Sequence, residues 1–220
     1  MGSDALTDRR YERQRRQLIE TIRERGVDDL EVLRTFDLVP RHLFVPESVQ
    51  HRAYEDAPLP IGFGQTASQP SLQALYLQTL RMQPQHKVLE IGTGTGYQTA
   101  LLAQLAAHVY SVERLRELSV RARAILDSLR LPNVALLVGD GTIGWSRYAP
   151  YDAILVAAAA PDVPQALLDQ LAGNGRLLIP LGGRSEQTLT LFEKSDTGIR
   201  REDITACTFV PLLGRFGWAS

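Results

Sequence analysis

The run VLEIGTGTGYQTA, residues 88–100, places Gly92, Gly94 and Gly96 directly behind an apolar stretch. Glycine lets a chain turn tightly and approach a ligand with no Cβ in the way. At a strand-to-helix turn, the chemistry on offer is the cradling of a nucleotide-like group. The spacing is GxGxG, so Gly96 comes one position early for the dinucleotide fingerprint, and the GK[ST] ending of a P-loop is missing. An acid, Glu90, stands just before the first glycine. Two more acids close the next two apolar runs. Glu113 ends HVYSVE, where a carboxylate can accept hydrogen bonds from both vicinal hydroxyls of a ribose. Asp140 ends NVALLVGD and is followed by Gly141. Either acid alone fits an ordinary helix start equally well. Three successive strand ends so equipped mark one rim as a ligand site. A bare structural turn and a nicotinamide site are the competing readings, and the second lacks both its fingerprint and an evident hydride-transfer base.

Those groups are useful only if the chain brings them to one edge. From residue 84 it alternates: HKVLEIG is strand-like, YQTALLAQLAA helical, HVYSVE a second strand and RLRELSVRARAILDSLR a helix. NVALLVGD and YDAILVAAA read as the third and fourth strands, PQALLDQLA as a helix and GRLLIPLG as a strand. QTLTLFEKS and ITACTFVPLLG then predict a strand-rich end with a hairpin at one edge. Short apolar strands between helices predict an α/β fold, its central, mostly parallel sheet covered by helices on both faces. Upstream, the first 35 residues read as helix. Leu18, Ile19 and Ile22 form an apolar stripe; Val27, Leu30, Leu33 and Phe36 recur at spacings of three, and Gly26 separates two helices. Pro40 and Pro46 limit continuous helix. An extended IGFGQT precedes the helix SLQALYLQTLRM, whose buried face holds Leu72, Leu75, Leu77 and Leu80. Residues 1–80 thus read as a helical cap with a substrate-binding segment, and 81–220 as a ligand-binding core, together one unit.

Composition narrows the classes. The 220 residues fit one domain, and 44% hydrophobic residues supply an ample core. A net charge of -1 gives no reason to expect a nucleic-acid partner, and the basic RRYERQRRQ reads as a solvated helix face. The single cysteine, Cys207, excludes an intrachain disulfide and a cysteine-built zinc site, and reads as core in an apolar strand. His42, His51, His86 and His108 form no metal-ligand pattern, so no metal is expected; His42 and His51 read as surface or structural. Trp145 fits packing against the sheet as well as a ligand pocket. The polar amino terminus has no apolar signal core, no apolar run is long enough to cross a bilayer, and MGSDAL lacks the Ser/Thr of a myristoylation signal. The expectation is a soluble cytoplasmic protein with no membrane partner.

The glycine loop with its leading acid resembles the first motif of class I S-adenosylmethionine-dependent methyltransferases. A closer likeness lies in an ordered set: VPRHLFVP, AYEDAPLPIGFGQTASQPSLQA, VLEIGTGTGYQTALLA, VYSVERLRELSVRAR, NVALLVGDGTIGW and FVPLLG. Over roughly residues 15–215 this resembles the protein-L-isoaspartate (D-aspartate) O-methyltransferase family. LPIGFGQTASQP and FVPLLG carry most of the specificity, since the other motifs identify only the superfamily.

The resemblance implies a Rossmann-like class I methyltransferase fold with an N-terminal helical extension and a C-terminal antiparallel strand region. It implies S-adenosyl-L-methionine as cofactor, S-adenosyl-L-homocysteine as product, and transient binding of isoaspartyl peptides and damaged proteins; an enzyme that admits flexible peptides can work as a monomer, though the sequence leaves the oligomeric state open. Thr66, Glu90, Gly92, Gly94, Gly96, Glu113, Asp140 and Gly141 match the cofactor surface, with Asp140 at the adenine amino group. Ser68 matches the catalytic serine. Leu59, Ile61, Phe63, Ser68, Val210, Pro211 and Leu212 match the acceptor groove. Ser68 also reads as a helix cap in SQPSLQAL. Three positions depart from the family pattern: Phe63 where a polar residue is common, Ala157 at a threonine-like position, and Leu213 where threonine also occurs. These touch acceptor choice more than reaction class. A methyltransferase for another protein or small-molecule carboxylate, and a non-catalytic protein-binding module, are the remaining alternatives.

Overall fold

The computed structural model describes residues 9–219; MGSDAL and the first part of the helix expected at the amino terminus lie outside the described residues. Helix α1, Glu12–Glu24, buries Leu18 and Ile22, and the chain turns at Gly26, whose φ is +91°. Helix α2, Leu30–Leu38, is capped by Asp29, whose carboxylate accepts from the backbone N–H of Glu31 and Val32. Leu30 is the exception to the expected stripe. It is 74% exposed, because it begins the helix on the outer side while Val27 fills the core from the preceding turn. Two short 3₁₀ turns, Arg41–Leu43 and Glu47–Arg52, follow where the prolines stop the helix.

The stretch read as extended is an antiparallel hairpin of β1, Leu59–Gly62, and β2, Gln65–Ala67. Helix α3, Pro70–Leu80, follows with proline in its first turn. Its buried face differs from the one predicted. Ala74, Tyr76, Leu77 and Leu80 are buried with Ser71 and Gln73, whereas Leu72 and Leu75 are half-buried.

Seven strands build the main sheet: β3 (Lys87–Ile91), β4 (His108–Glu113), β5 (Val134–Val138), β6 (Tyr151–Val156), β7 (Leu171–Gly182), β8 (Gln187–Ser195) and β9 (Gly198–Cys207). Their order is β5-β4-β3-β6-β7-β8-β9. The first five are parallel; β8 and β9 add as an antiparallel meander. Helices α4 (Tyr97–Leu105), α5 (Arg116–Ser128) and α6 (Gln165–Asp169) make the crossovers.

Alternation along the strands sorts the core into two layers. Val88, Ala153 and Leu155 face a cluster shared with α1 to α5; Leu89, Ile91, Ile154 and Val156 face a second cluster containing Leu167 and Leu168 of α6. All the long helices therefore cover one face.

Two predicted boundaries move. The helix expected over residues 164–172 ends at Asp169, and β7 already starts at Leu171. Gln170 is drawn into contacts of its own, taking Trp145 N–H at 2.8 Å and donating to the Ile143 carbonyl at 2.8 Å. The last strand lies earlier than expected, over the charged, solvent-facing run that starts at Gly198. Main-chain pairing with β8 defines it, so no apolar alternation announces it. FVPLLG leaves the sheet and crosses the strand ends, held by Leu212 N–H to Ala159 O at 2.7 Å and Ala159 N–H to Val210 O at 2.8 Å.

Candidate active site

β3 is central, with β4 on one side and β6 on the other, so the loops leaving β3 and β6 part at a topological switch point. A cleft of about 420 Å³ opens there. The glycine loop is its floor. Gly92 (φ +97°) donates its N–H to Val112 O at 2.8 Å, while Ala157 N–H reaches Ile91 O at 2.8 Å, pinning the loop between neighbouring strands. Gly92, Gly94 and Gly141 all line the cleft. A Cβ on Gly141 would stand 2.3 Å from Ile91 Cγ2, so the backbone approaches the sheet as only glycine allows. Gly96 does not line the cleft. Its Cβ would meet Ala122 Cβ at 3.1 Å, so this glycine serves the packing of α4 on α5.

The three acids have three different settings. Glu113 lines the cleft with Oε2 accepting from Gly94 N–H at 2.9 Å and Oε1 from Leu115 N–H at 2.8 Å. Each oxygen keeps a lone pair, so the fixed carboxylate fits a vicinal diol. Asp140 is not part of the lining. Its carboxylate takes the N–H and hydroxyl of Thr142 at 2.8 and 2.7 Å and Arg215 N–H at 2.8 Å, tying the carboxy-terminal segment to the rim. Burial alone would raise its pKa, but the hydrogen bonds from Arg215 and Thr142 outweigh it and hold the carboxyl below its ordinary value. Glu90 is wholly buried beneath the loop and also outside the lining. Its Oε2 accepts from the hydroxyls of Thr99 and Ser111, and Thr93 Oγ1 lies 2.6 Å from Ser111 Oγ. Burial raises its carboxyl to about 7, against the pull of the two hydroxyls. It ties β3, β4, α4 and the loop together as a support.

One group of residues escaped sequence reasoning. Gln73 Oε1, Tyr76 OH and both amide atoms of Gln98 are buried without a hydrogen-bond partner among the described residues, and all three residues line the cleft. A buried unpaired polar atom costs about 1–3 kcal/mol, and several at one cavity wall point to a polar ligand that completes them. The available signal was polar residues on the buried faces of α3 and α4, one of them two positions after Gly96.

Ser68 stands where this cleft meets a second cavity of about 400 Å³. Thr66, Ser68, Ala157 and Val210 line both. The Ser68 hydroxyl makes no hydrogen bond within the described residues. It is not the helix cap, because α3 starts at Pro70 with Gln69 in the cap position, and Asp56 caps it from outside, accepting Ser71 N–H at 2.8 Å and Gln69 Nε2 at 2.9 Å. The Ser68 carbonyl is held by Arg41, a fully buried guanidinium that also donates to the Ala53 carbonyl at 2.6 Å and lies 5.7 Å from the Tyr97 ring centroid. The serine backbone is thus fixed and its hydroxyl left available.

Of the expected acceptor residues, Ile61, Phe63, Val210, Pro211 and Leu212 line the cleft, as do the departures Ala157 and Leu213. Leu59 does not; it is fully buried in the core, on the inward side of β1. Phe63 and Gly64 form the hairpin tip, at φ +55° and +68°, with the Arg121 guanidinium 5.3 Å from the Phe63 ring centroid. Trp145 lies outside the cleft, packed edge-on to Tyr110 and Tyr148. His42 is buried, its Nδ1 2.8 Å from Tyr54 OH and its ring stacked on Tyr11. Cys207 is half-buried at the end of the edge strand, where it packs against the main core cluster and also lines the second cavity; burial pushes its thiol up to about 11. Among the described residues no group of three or more His, Cys, Asp or Glu is placed to hold a metal ion.

A doubly wound sheet whose switch point carries a glycine loop, a carboxylate fixed by two backbone N–H groups and unpaired polar groups defines a class I methyltransferase fold. A family model described as protein-L-isoaspartate(D-aspartate) O-methyltransferase matches residues 13–217, and the chain belongs to that family. It is 53% identical over 207 residues to protein-L-isoaspartate O-methyltransferase 2 of Geotalea uraniireducens, covering 93% of this chain and 95% of that one. Identity to the protein-L-isoaspartate O-methyltransferase of Geobacter metallireducens is 50% over 208 residues, 94% and 96% of the two chains. Among solved structures, a protein-L-isoaspartate O-methyltransferase superposes with a TM-score of 0.85 at 31% identity, over 92% of this chain and 67% of the other. A putative protein-L-isoaspartate O-methyltransferase from Plasmodium falciparum, in complex with S-adenosyl-L-homocysteine, gives 0.79 at 27% identity, over 90% and 97%.

Proposed function

We infer that this protein transfers a methyl group from S-adenosyl-L-methionine to the α-carboxylate of L-isoaspartyl residues, the first step in their repair. The observation that carries the reading is Ser68, its hydroxyl unpaired, in a wall shared by the nucleoside-fitted cleft and a second groove.

S-adenosyl-L-methionine supplies a methyl group activated by a sulfonium. Glu113 is placed for the ribose hydroxyls, the Gly92–Gly94 backbone for close approach, and Gln73, Tyr76 and Gln98 for the polar amino-acid end. The acceptor carboxylate is already ionised near neutral pH, so no base is needed. What the chain must do is align one carboxylate oxygen and replace its hydration with fixed donors. Ser68 donates a hydrogen bond to that carboxylate and forms no covalent bond. Cleft-lining Ile61, Val210 and Leu212 exclude water beside it. The following backbone nitrogen then attacks the ester carbonyl, expelling methanol and closing a succinimide, whose hydrolysis returns part of the material to aspartate. The proposal includes S-adenosyl-L-homocysteine as spent cofactor, no metal, and a monomer acting in the cytoplasm on damaged proteins.

The test is labelled methyl transfer to paired peptides that differ only in an isoaspartyl or aspartyl linkage. The isoaspartyl member alone should be methylated; equal transfer to both, or none to either, overturns the assignment. Ser68→Ala should keep cofactor affinity and lose acceptor turnover by about 10-fold or more, the scale of one lost charge-directed hydrogen bond. Unchanged turnover at saturation would remove Ser68 from this role.

A further inference from the structure

The groove outside Ser68 runs between α3 and the end of β9, with Thr208–Val210 beyond. Leu72 and Leu75 are half-buried because they turn toward it and give it an apolar side. Its lining also includes Thr205, Ala206, Cys207 and Phe209, and among the lining residues only Arg25 is charged.

Arg25 closes α1, and its side chain is 63% exposed. Its Nε lies 3.8 Å from Asp56 Oδ2, beyond hydrogen-bond range. Asp56 is already committed, with one oxygen on Ser71 N–H and the other on the Gln69 amide. Asp56 therefore forms a long ionic contact with Arg25 at Nε but takes no hydrogen bond from its guanidinium. That fork makes no hydrogen bond within the described residues, and its planar N–H pairs match a carboxylate.

We propose that Arg25 is a specificity-determining residue, its guanidinium receiving a carboxylate that the acceptor polypeptide carries close to its isoaspartyl residue, beside the apolar surface of Leu72 and Leu75. The proposal rests on the methyl-transfer reading above. The carboxylate comes from a flanking Asp or Glu side chain, or from the chain terminus of a short peptide. A cation at that position meets Arg25 as a like charge and is disfavoured. Because Arg25 is partly exposed, the preference is modest and screened by salt.

The test is a set of isoaspartyl peptides with amidated carboxyl ends, carrying Glu, Gln or Lys in turn at each of three positions on either side of the isoaspartate. One further peptide keeps its free terminus. kcat/KM is measured at about 20 mM and about 500 mM salt for the wild type, Arg25→Gln and Arg25→Glu; over that range the Debye length falls from about 20 Å to about 4 Å. At one position at least, the wild type should prefer Glu over Lys by about three- to tenfold at low salt, the range two modest charge effects allow. The ratio should fall toward one in Arg25→Gln, invert in Arg25→Glu, and shrink at high salt. If the free-terminus peptide alone shows the effect, the terminal carboxylate is the group recognised. Coincident Glu and Lys series with no Arg25-dependent advantage for the free terminus, or a preference that survives Arg25→Gln, overturns the proposal while leaving the function intact. Failure of every isoaspartyl peptide to be methylated overturns the function itself.

Discussion

Replacing Glu90 by glutamine should change how stability depends on pH. The carboxyl is fully buried, one oxygen takes two hydroxyl hydrogen bonds, and the other has no partner among the described residues. Burial raises it from the ordinary 4.5 to about 7. For an acid held above its unfolded value, the native state keeps a proton that the unfolded chain releases. Glu90 therefore costs nothing below about pH 4.5, destabilises progressively as pH rises to about 7, and adds no further loss above that. At 1.36 kcal/mol for each tenfold change in ionisation, the whole penalty is about 3 kcal/mol, most of it falling between pH 5 and pH 8. Glutamine cannot ionise. It places an amide where the partnerless oxygen was, and that cost is the same at every pH. The quantity to measure is the difference between variant and wild-type unfolding free energies from urea titrations at pH 5, 6, 7 and 8. It should move by about 2–3 kcal/mol in favour of Glu90→Gln across that range, because every other titrating group cancels. A difference flat to within about 0.5 kcal/mol, or moving the other way, refutes the picture of a neutral acid supporting the glycine loop.

Two further substitutions probe the cleft. Tyr76→Phe removes a buried hydroxyl that has no partner, so the ligand-free protein should hold its stability or gain up to about 1 kcal/mol, while affinity for S-adenosyl-L-homocysteine falls. Urea unfolding and calorimetric titration check both, and a loss of ligand-free stability contradicts the unpaired setting. Gly96→Ala combines φ +86° with a Cβ 3.1 Å from Ala122, so it should cost about 2–3 kcal/mol. Gly26→Ala has a similar φ of +91° but open space around its Cβ and should cost only about 1 kcal/mol. Equal costs in urea unfolding would mean that the α4–α5 contact is not what Gly96 serves.

The sequence by itself determined the order and period of the core. Short apolar runs separated by helical stripes specify a parallel sheet, because strands buried on both faces need no polar alternation. The same runs put Gly92, Glu113 and Gly141 at successive strand ends, so a ligand rim was legible without coordinates. Placement across the chain was not. Glu90 looks like a rim acid in sequence, yet it is sealed under the loop by hydroxyls from α4 and β4; Asp140 does stand at the rim, but its hydrogen bond to the backbone at residue 215 could not be read from sequence. Leu72 and Leu75 carry the period of a buried face, but the groove beside β9 leaves them half-open. The charged run over β9 gives no strand period, because an edge strand is held by its backbone. Partner satisfaction is likewise invisible along a chain. Only the folded molecule decides that Gln73, Tyr76 and Gln98 lack partners at a cavity wall while Ser68 keeps its hydroxyl unpaired, since those facts depend on residues distant in sequence that share one small volume.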